Sequence, residues 1–232
     1  MNLFTKKVAE VCAKRARRKE ERPGELLAAA LDLFVEKGFA ATRAEEVAAR
    51  AGVSKGTLFL YYKSKEELFK AVVRESIGGH YQAWNAEIAS FDGDTAAMLR
   101  YGMRAWWTRV GETKASGITK LMMSEAQNFP ELAAFYEQEV IAPGRDLIRR
   151  ILQRGVDRGE FRAINVEYGI YAVLAPLVFL ALSKHAASSC VSPGLNMLPE
   201  EYLATQIDTL LYGLCAKPEV ARLPDQKVTD LT

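Results

Sequence analysis

Histidine and cysteine are scarce in this 232-residue chain: two histidines, His80 and His185, and three cysteines, Cys12, Cys190 and Cys215. Their spacing matches no metal-ligand pattern, so no metal is expected and the thiols read as free groups in a reducing compartment. The G-x-S-x-G turn of a hydrolase and the glycine-rich loop of a phosphate binder are missing as well. His185 and Cys190 lie near each other in sequence, but coincidence accounts for that better than a catalytic dyad. The carboxylate pairs Glu66-Glu67 and Glu200-Glu201 fall where helix starts favour negative charge. The expectation is a protein that is not an enzyme and takes no cofactor.

Long hydrophobic runs are also lacking. The most apolar stretch, Gly169 to Ser183, is shorter than a bilayer span and contains Pro176, so it reads as a buried helix and no membrane partner is expected. The N-terminus lacks the apolar centre of a secretory leader and reads as the basic arm of a cytoplasmic protein. Internal repeats and low-complexity tracts are absent. With 49% hydrophobic residues, the chain can bury the core of one large domain or two modest ones.

Charge is unevenly placed. From Met1 to His80 there are 16 basic against 11 acidic residues, and beyond His80 the balance reverses to 15 against 18. One end is suited to an anion, although a solvated charge run would look the same.

Periodicity makes nearly everything helical. Glu25 to Lys37 places Leu26, Leu27, Ala30, Leu33 and Phe34 on one face, with Pro23 as a start and Gly38 as a stop. Thr42 followed by Glu45 has the capping-box pattern for a short helix to Ala51, and Gly52 supplies a turn. Ser54 caps a third helix, about Lys55 to Tyr62, and Ser64 with Glu67 opens a fourth to about Ile77.

Two short helices joined through a glycine turn in a basic segment have the form of a helix-turn-helix, whose second helix enters the DNA major groove. Ser54, Lys55 and Thr57 cluster at the positive end of helix 3, where backbone N–H groups attract phosphate. Lys65 sits in the first turn of helix 4, a place unfavourable to a cation unless it serves an external anion. Lys63 lies between them.

The stretch ALDLFVEKGFAATRAEEVAARAGVSKGTLFLYYKSKEELF resembles the DNA-binding domain of the TetR (tetracycline-repressor) family almost continuously. The resemblance covers about Glu20 to His80. It implies that Ser54, Thr57, Tyr61 and Lys65 approach phosphates and that Lys55 and Gly56 approach base edges. By chemistry alone Lys55 suits guanine O6 and N7 or another phosphate. Leu60 suits a thymine methyl or simple exposure, Tyr61 a phosphate or packing, and Arg43 the DNA backbone or solvent. Thr42 completes the candidate DNA face. Phe59 stands where the family often has tyrosine, so one phosphate-binding hydroxyl is missing. Lys14, Arg15, Arg17, Arg18 and Lys19 of the arm add diffuse contacts or none.

The second half, most visibly EAQNFPELAAFYEQEVIAPGRDLIRRILQRGVDRGEFR, is similar to the regulatory domains of AcrR- and AefR-type members. This implies a helical domain that senses a ligand and dimerises. Helices are predicted over Asp94 to Val110, Ser116 to Asn128, Pro130 to Asp157 with a kink or break at Pro143-Gly144, Glu167 to Ser188, and Pro199 to Ala216. Trp84, Met98, Tyr101, Trp106, Trp107, Met122, Met123 and Tyr136 are the material for an apolar pocket or plain core. Arg104, Gln127 and Asn128 could orient a polar head. The last two helices are apolar around most of their circumference, including Tyr171, Leu174, Val178, Phe179, Leu182, Leu203, Ile207, Leu210 and Leu211. This suggests burial on both sides, as in a homodimer.

The expected architecture is all-α. It comprises an arm (1–19), a three-helix helix-turn-helix DNA-binding domain (20–80, motif 43–62), a helical ligand-binding and dimerisation domain (81–217) and a tail (218–232). Gly78-Gly79 marks the junction. The expected function is a homodimeric repressor on a palindromic operator, released by a small apolar or amphipathic effector. A helical carrier protein and a small helical enzyme acting on the apolar ligand remain as alternatives.

Overall fold

The computed structural model describes residues 3–185 and 197–215. The loop expected over 188–198, Cys190 and the 218–232 tail therefore lie largely or wholly outside the described residues. Eleven helices are described: α1 (Leu3–Ala41), α2 (Ala44–Arg50), α3 (Lys55–Tyr61), α4 (Lys65–Val73), α5 (His80–Ala89), α6 (Thr95–Trp106), α7 (Ser116–Glu125), α8 (Pro130–Tyr136), α9 (Ala142–Asp157), α10 (Val166–His185) and α11 (Pro199–Leu214). Among these residues the only β pairing is an isolated bridge between Phe161 and Cys215.

Capping explains most boundaries. Ser54 Oγ accepts from the Thr57 N–H, Ser64 Oγ from the Glu67 N–H, and Asp94 Oδ1 from the Ala97 N–H. Pro130 and Pro199 sit in first turns, where a missing N–H costs nothing.

Three expectations about these elements need correction. Helix 1 does not begin at Pro23 but runs through it from Leu3, because the preceding Ala-, Lys-, Glu- and Arg-rich stretch has high helix propensity. Its geometry breaks at Gly38, at φ 86°, as expected of a glycine stop. The N-cap of α2 is Arg43, not Thr42: the Arg43 N–H donates to Glu46, one position beyond the pair expected from the pattern. Pro143 does not break its helix; a wide π-type turn over Glu137–Ile141 just before it absorbs the missing hydrogen bond. Helix 4 continues to about Ile77 as expected, as α-helix to Val73 and then as a second π-type turn over Arg74–Gly78 that carries the chain into α5. Arg74 and Glu139 pair across these two turns at 3.1 Å.

The buried side chains form two clusters. The first joins Leu26, Phe34, Phe39, Leu58 and Phe69 of the N-terminal helices to Ile118, Leu121 and Phe135 of α7 and α8. It therefore crosses the junction at Gly78-Gly79. The second gathers Met98, Met103, Trp107, Ile151, Leu177 and Ile207 between α6, α9, α10 and α11.

By length and composition α10 is apolar enough to span a membrane, yet it packs along α7, α9 and α11. Within one copy only one side of it is buried. Ile170, Val173, Leu177 and Leu180 face inward, while Tyr168, Tyr171 and Phe179 stay exposed on the outer side.

Candidate nucleic-acid interface and cavity

Helix α3 is presented by the turn before it. Val47 and Ala48 bury α2, Gly52 reverses the chain at φ 66°, and the Val53 N–H donates to the Ala48 carbonyl at 2.9 Å. Leu58 then anchors α3 in the core. The opposite face therefore points outward: Ser54, Lys55, Gly56, Phe59 and Leu60 are exposed, as are Arg43 and Lys63 nearby. Leu60 is 84% exposed. Thr57 and Tyr61 are half-buried; Tyr61 packs against the first core cluster.

Lys55 is held in place. Its Nζ lies 2.5 Å from Glu45 Oε1 and 5.7 Å from the Phe59 ring centre. The hydrogen bond from Lys55 keeps the Glu45 carboxyl below its usual range. An exposed pair of this kind is weak and screened by salt, so Lys55 can exchange Glu45 for another acceptor.

Thr42 and Lys65 face the wrong way for the roles expected of them. Thr42 is 1% exposed, and its hydroxyl donates inward to the Gly38 and Leu33 carbonyls at 2.7 and 3.2 Å. The Lys65 ammonium donates to the carbonyls of Phe39 (2.8 Å), Thr42 (3.1 Å) and Ala40 (3.3 Å), and lies 4.3 Å from the Phe39 ring centre. The cation in the first turn of α4 is thus explained by the carbonyls at and just beyond the end of α1, without a phosphate.

Residues that the sequence reading passed over complete this region. Glu125, at the end of α7, accepts from the Phe39 and Ala40 N–H groups at 2.8 and 3.0 Å. Phe39 is 1% exposed and contacts the rings of Phe34, Phe69 and Phe129. No local pattern marks Glu125, since its partners are 85 and 86 residues away.

Helices α5 to α10 enclose a cavity of about 580 Å³. Trp84, Tyr101, Trp106, Met122, Met123 and Tyr136 line it as expected. Met98 and Trp107 do not; at 1% and 3% exposure they are core of the second cluster. Arg104, Gln127 and Asn128 are outside the lining, and Arg104 instead approaches Glu200 at 4.0 Å.

Polar groups meet the cavity at two places. Glu87 Oε2 accepts from Arg109 at 2.9 Å and from the Tyr101 hydroxyl at 2.8 Å, and these bonds, the Arg109 one foremost, hold the Glu87 carboxyl below its usual range. The Thr119 and Tyr136 hydroxyls lie 3.1 Å apart, and burial raises the Tyr136 pKa, so that phenol stays neutral. The wall is otherwise almost wholly apolar.

The residues expected at a dimer interface divide into three sets. Tyr171 and Phe179 are exposed, and Leu182 and Leu210 are half-buried. Tyr171, Leu174 and Val178 also line the cavity. Leu203, Ile207 and Leu211 are within the second core at 1%, 0% and 5% exposure, so they are excluded from an interface: α11 spends its apolar face on α6 and α10.

Ser116 Oγ donates to the Thr113 carbonyl and lies 2.8 Å from His185 Nε2. Ser116 is completely buried, so this pair ties α10 to α7 and offers no nucleophile to a substrate. Burial and the neighbouring Lys184 and Lys120 hold the His185 pKa below its ordinary value.

Comparison with known proteins agrees with this geometry. The family profile described as "Bacterial regulatory proteins, tetR family" matches residues 26–72, and "Tetracyclin repressor-like, C-terminal domain" matches 90–189. The HTH-type transcriptional activator FasR of Mycolicibacterium smegmatis is 44% identical over 155 residues, 67% of this chain and 69% of that protein. The HTH-type transcriptional regulator RutR of Escherichia coli is 37% identical over 95 residues, 41% of this chain and less than half of its own length, 43%. Among solved structures, the transcriptional regulator FadR from Bacillus subtilis in complex with stearoyl-CoA superposes with a TM-score of 0.58 at 16% identity, over 82% of this chain and 97% of that one. The exposed face of α3, the separate apolar cavity and these matches lead to one conclusion: the chain belongs to the TetR family of DNA-binding transcriptional regulators.

Proposed function

We propose that this regulator acts in the cytoplasm as a homodimeric repressor on a palindromic operator and leaves it when a long-chain apolar ligand enters the cavity. Residues 20–80 read DNA, and 81–217 bind the ligand and the second copy. The observation that carries the reading is the pairing of an outward-facing α3 with a separate apolar cavity. Its volume falls within the range of about 300–1,000 Å³ usual for ligand sites. The nearly unbroken apolar wall suits a fatty acyl chain, the class carried by the stearoyl-CoA bound to FadR. The Thr119–Tyr136 and Glu87–Tyr101 pairs would orient its polar end.

Dimerisation is supported by the exposed tyrosine and phenylalanine side chains of α10, together with Tyr212 on α11 at 74% exposure. Two-fold symmetry would set the recognition helices about 34–36 Å apart, one turn of DNA. Phe179→Asp is expected to shift sedimentation from dimer to monomer and to weaken operator binding; a wild-type protein that sediments as a monomer would overturn this part. FasR is named an activator, so transcription should be measured on the isolated operator. Repression without ligand supports the reading, and ligand-independent stimulation supports activation instead.

Selecting bound sequences from a random duplex pool at physiological salt tests the core of the proposal. Recovery of one palindrome is expected, and diffuse, salt-sensitive binding alone would refute it. On that palindrome Lys55→Ala should cost about 1–3 kcal/mol and relax base preference. A uniform loss across all sequences would instead make Lys55 a phosphate contact.

A further inference from the structure

We propose that Glu125 is the positioning residue that ties the recognition motif to the cavity wall. The proposal rests on the reading of that cavity as a ligand site.

At Gly38 the chain leaves the α1 helix, which frees two successive peptide groups. Their N–H groups point at Glu125: Oε1 accepts from Phe39 and Oε2 from Ala40. The carbonyls of the same two residues are held from the other side by Lys65. Phe39 and Ala40 therefore sit between a carboxylate on α7 and an ammonium on α4, and α2 begins at Ala44. Charge-assisted bonds to two adjacent amides fix both distance and direction.

Gly38 shows how closely the clamp is built. A Cβ at that position would lie 2.4 Å from Glu125 Oε1, closer than non-bonded atoms approach. Its φ of 86° separately favours glycine. The glycine stop of helix 1 is thus also the seat of the carboxylate.

The other face of the same helical turn meets the cavity. Met122, Met123 and Ala126, the neighbours of Glu125 in sequence, line it. A ligand that displaces this wall shifts the Glu125 carboxylate relative to Phe39 and Ala40, and hence the start of α2 that sets the aim of α3. Such coupling requires the contact to differ between the two states.

The test uses the full-length protein, the palindrome recovered by selection, and hexadecanoic acid as the probe. Glu125→Ala should bind the operator about tenfold more weakly without probe, and the probe should then change its affinity by less than about threefold. Glu125→Gln, which keeps one acceptor oxygen, should fall between the variant and wild type, and it carries the test if the alanine variant does not fold. A variant that retains the full wild-type response overturns the proposal, whatever its basal affinity. Quenching of Trp84 and Trp106 fluorescence reports whether the probe binds at all. If it does not, the ligand class is wrong, and the clamp is judged on ligand-free protein. There, wild-type operator affinity and unchanged exchange protection of the Phe39 and Ala40 amides in Glu125→Ala overturn it.

Discussion

Replacing Phe39 with alanine is expected to remove about 3–5 kcal/mol of stability, the range for emptying a buried phenylalanine site. The ring is 1% exposed and is surrounded by Phe34, Phe69 and Phe129, at centroid distances of 5.6, 5.4 and 4.8 Å. Phe34 and Phe69 belong to the N-terminal helices, whereas Phe129 belongs to the segment after α7. The void would thus open where the two halves meet, in a core cluster shared by both. Since whole domains are stable by only about 5–15 kcal/mol, the variant should be marginal at 37 °C. Urea denaturation followed by far-UV circular dichroism measures the loss. A change below about 1 kcal/mol would mean that the neighbouring rings collapse into the space and that the junction is softer than its packing implies.

Lys65→Ala should cost about 2–3 kcal/mol of stability. Three carbonyls at and just beyond the end of α1 share its ammonium, and hydrogen bonds from charged donors contribute more than neutral ones. Partial exposure tempers the loss, because water can reach some of the freed carbonyls. DNA binding separates this role from the one its position in sequence suggests. A phosphate contact would lower the slope of affinity against salt by about one unit when removed. The inward-turned ammonium predicts an unchanged slope alongside the loss of stability. Intact stability with a reduced slope would return Lys65 to the DNA face.

Much of this was legible in the chain. Ser54, Ser64, Asp94, Pro130 and Pro199 mark helix starts through chemistry that acts over three or four residues, and the structure places helices after each of them. The α2–Gly52–α3 turn was readable for the same reason, and six of eight proposed cavity residues line the cavity. The misses share a cause. Met98 and Trp107 have the same chemistry as Trp106 and Met122, and only the rotation of each helix against its neighbours decides which side chain meets the cavity. Leu203, Ile207 and Leu211 carry the apolarity of an interface, but packing against α6 and α10 uses it within one copy.

By itself the sequence determined the helical class, the helix-turn-helix and the supply of apolar residues for a cavity, because caps, periodicity and glycine turns are local. Tertiary structure decided which charges face outward and which face inward. Lys55 and Lys65 are ten positions apart in one basic segment, yet one lies on the outer face and the other closes the end of α1. The N–H groups of Phe39 and Ala40 reach Glu125, and the carbonyls of Phe39, Ala40 and Thr42 reach Lys65, only when α1, α4 and α7 pack together, so backbone groups near the core draw the nearest carboxylate and cation inward.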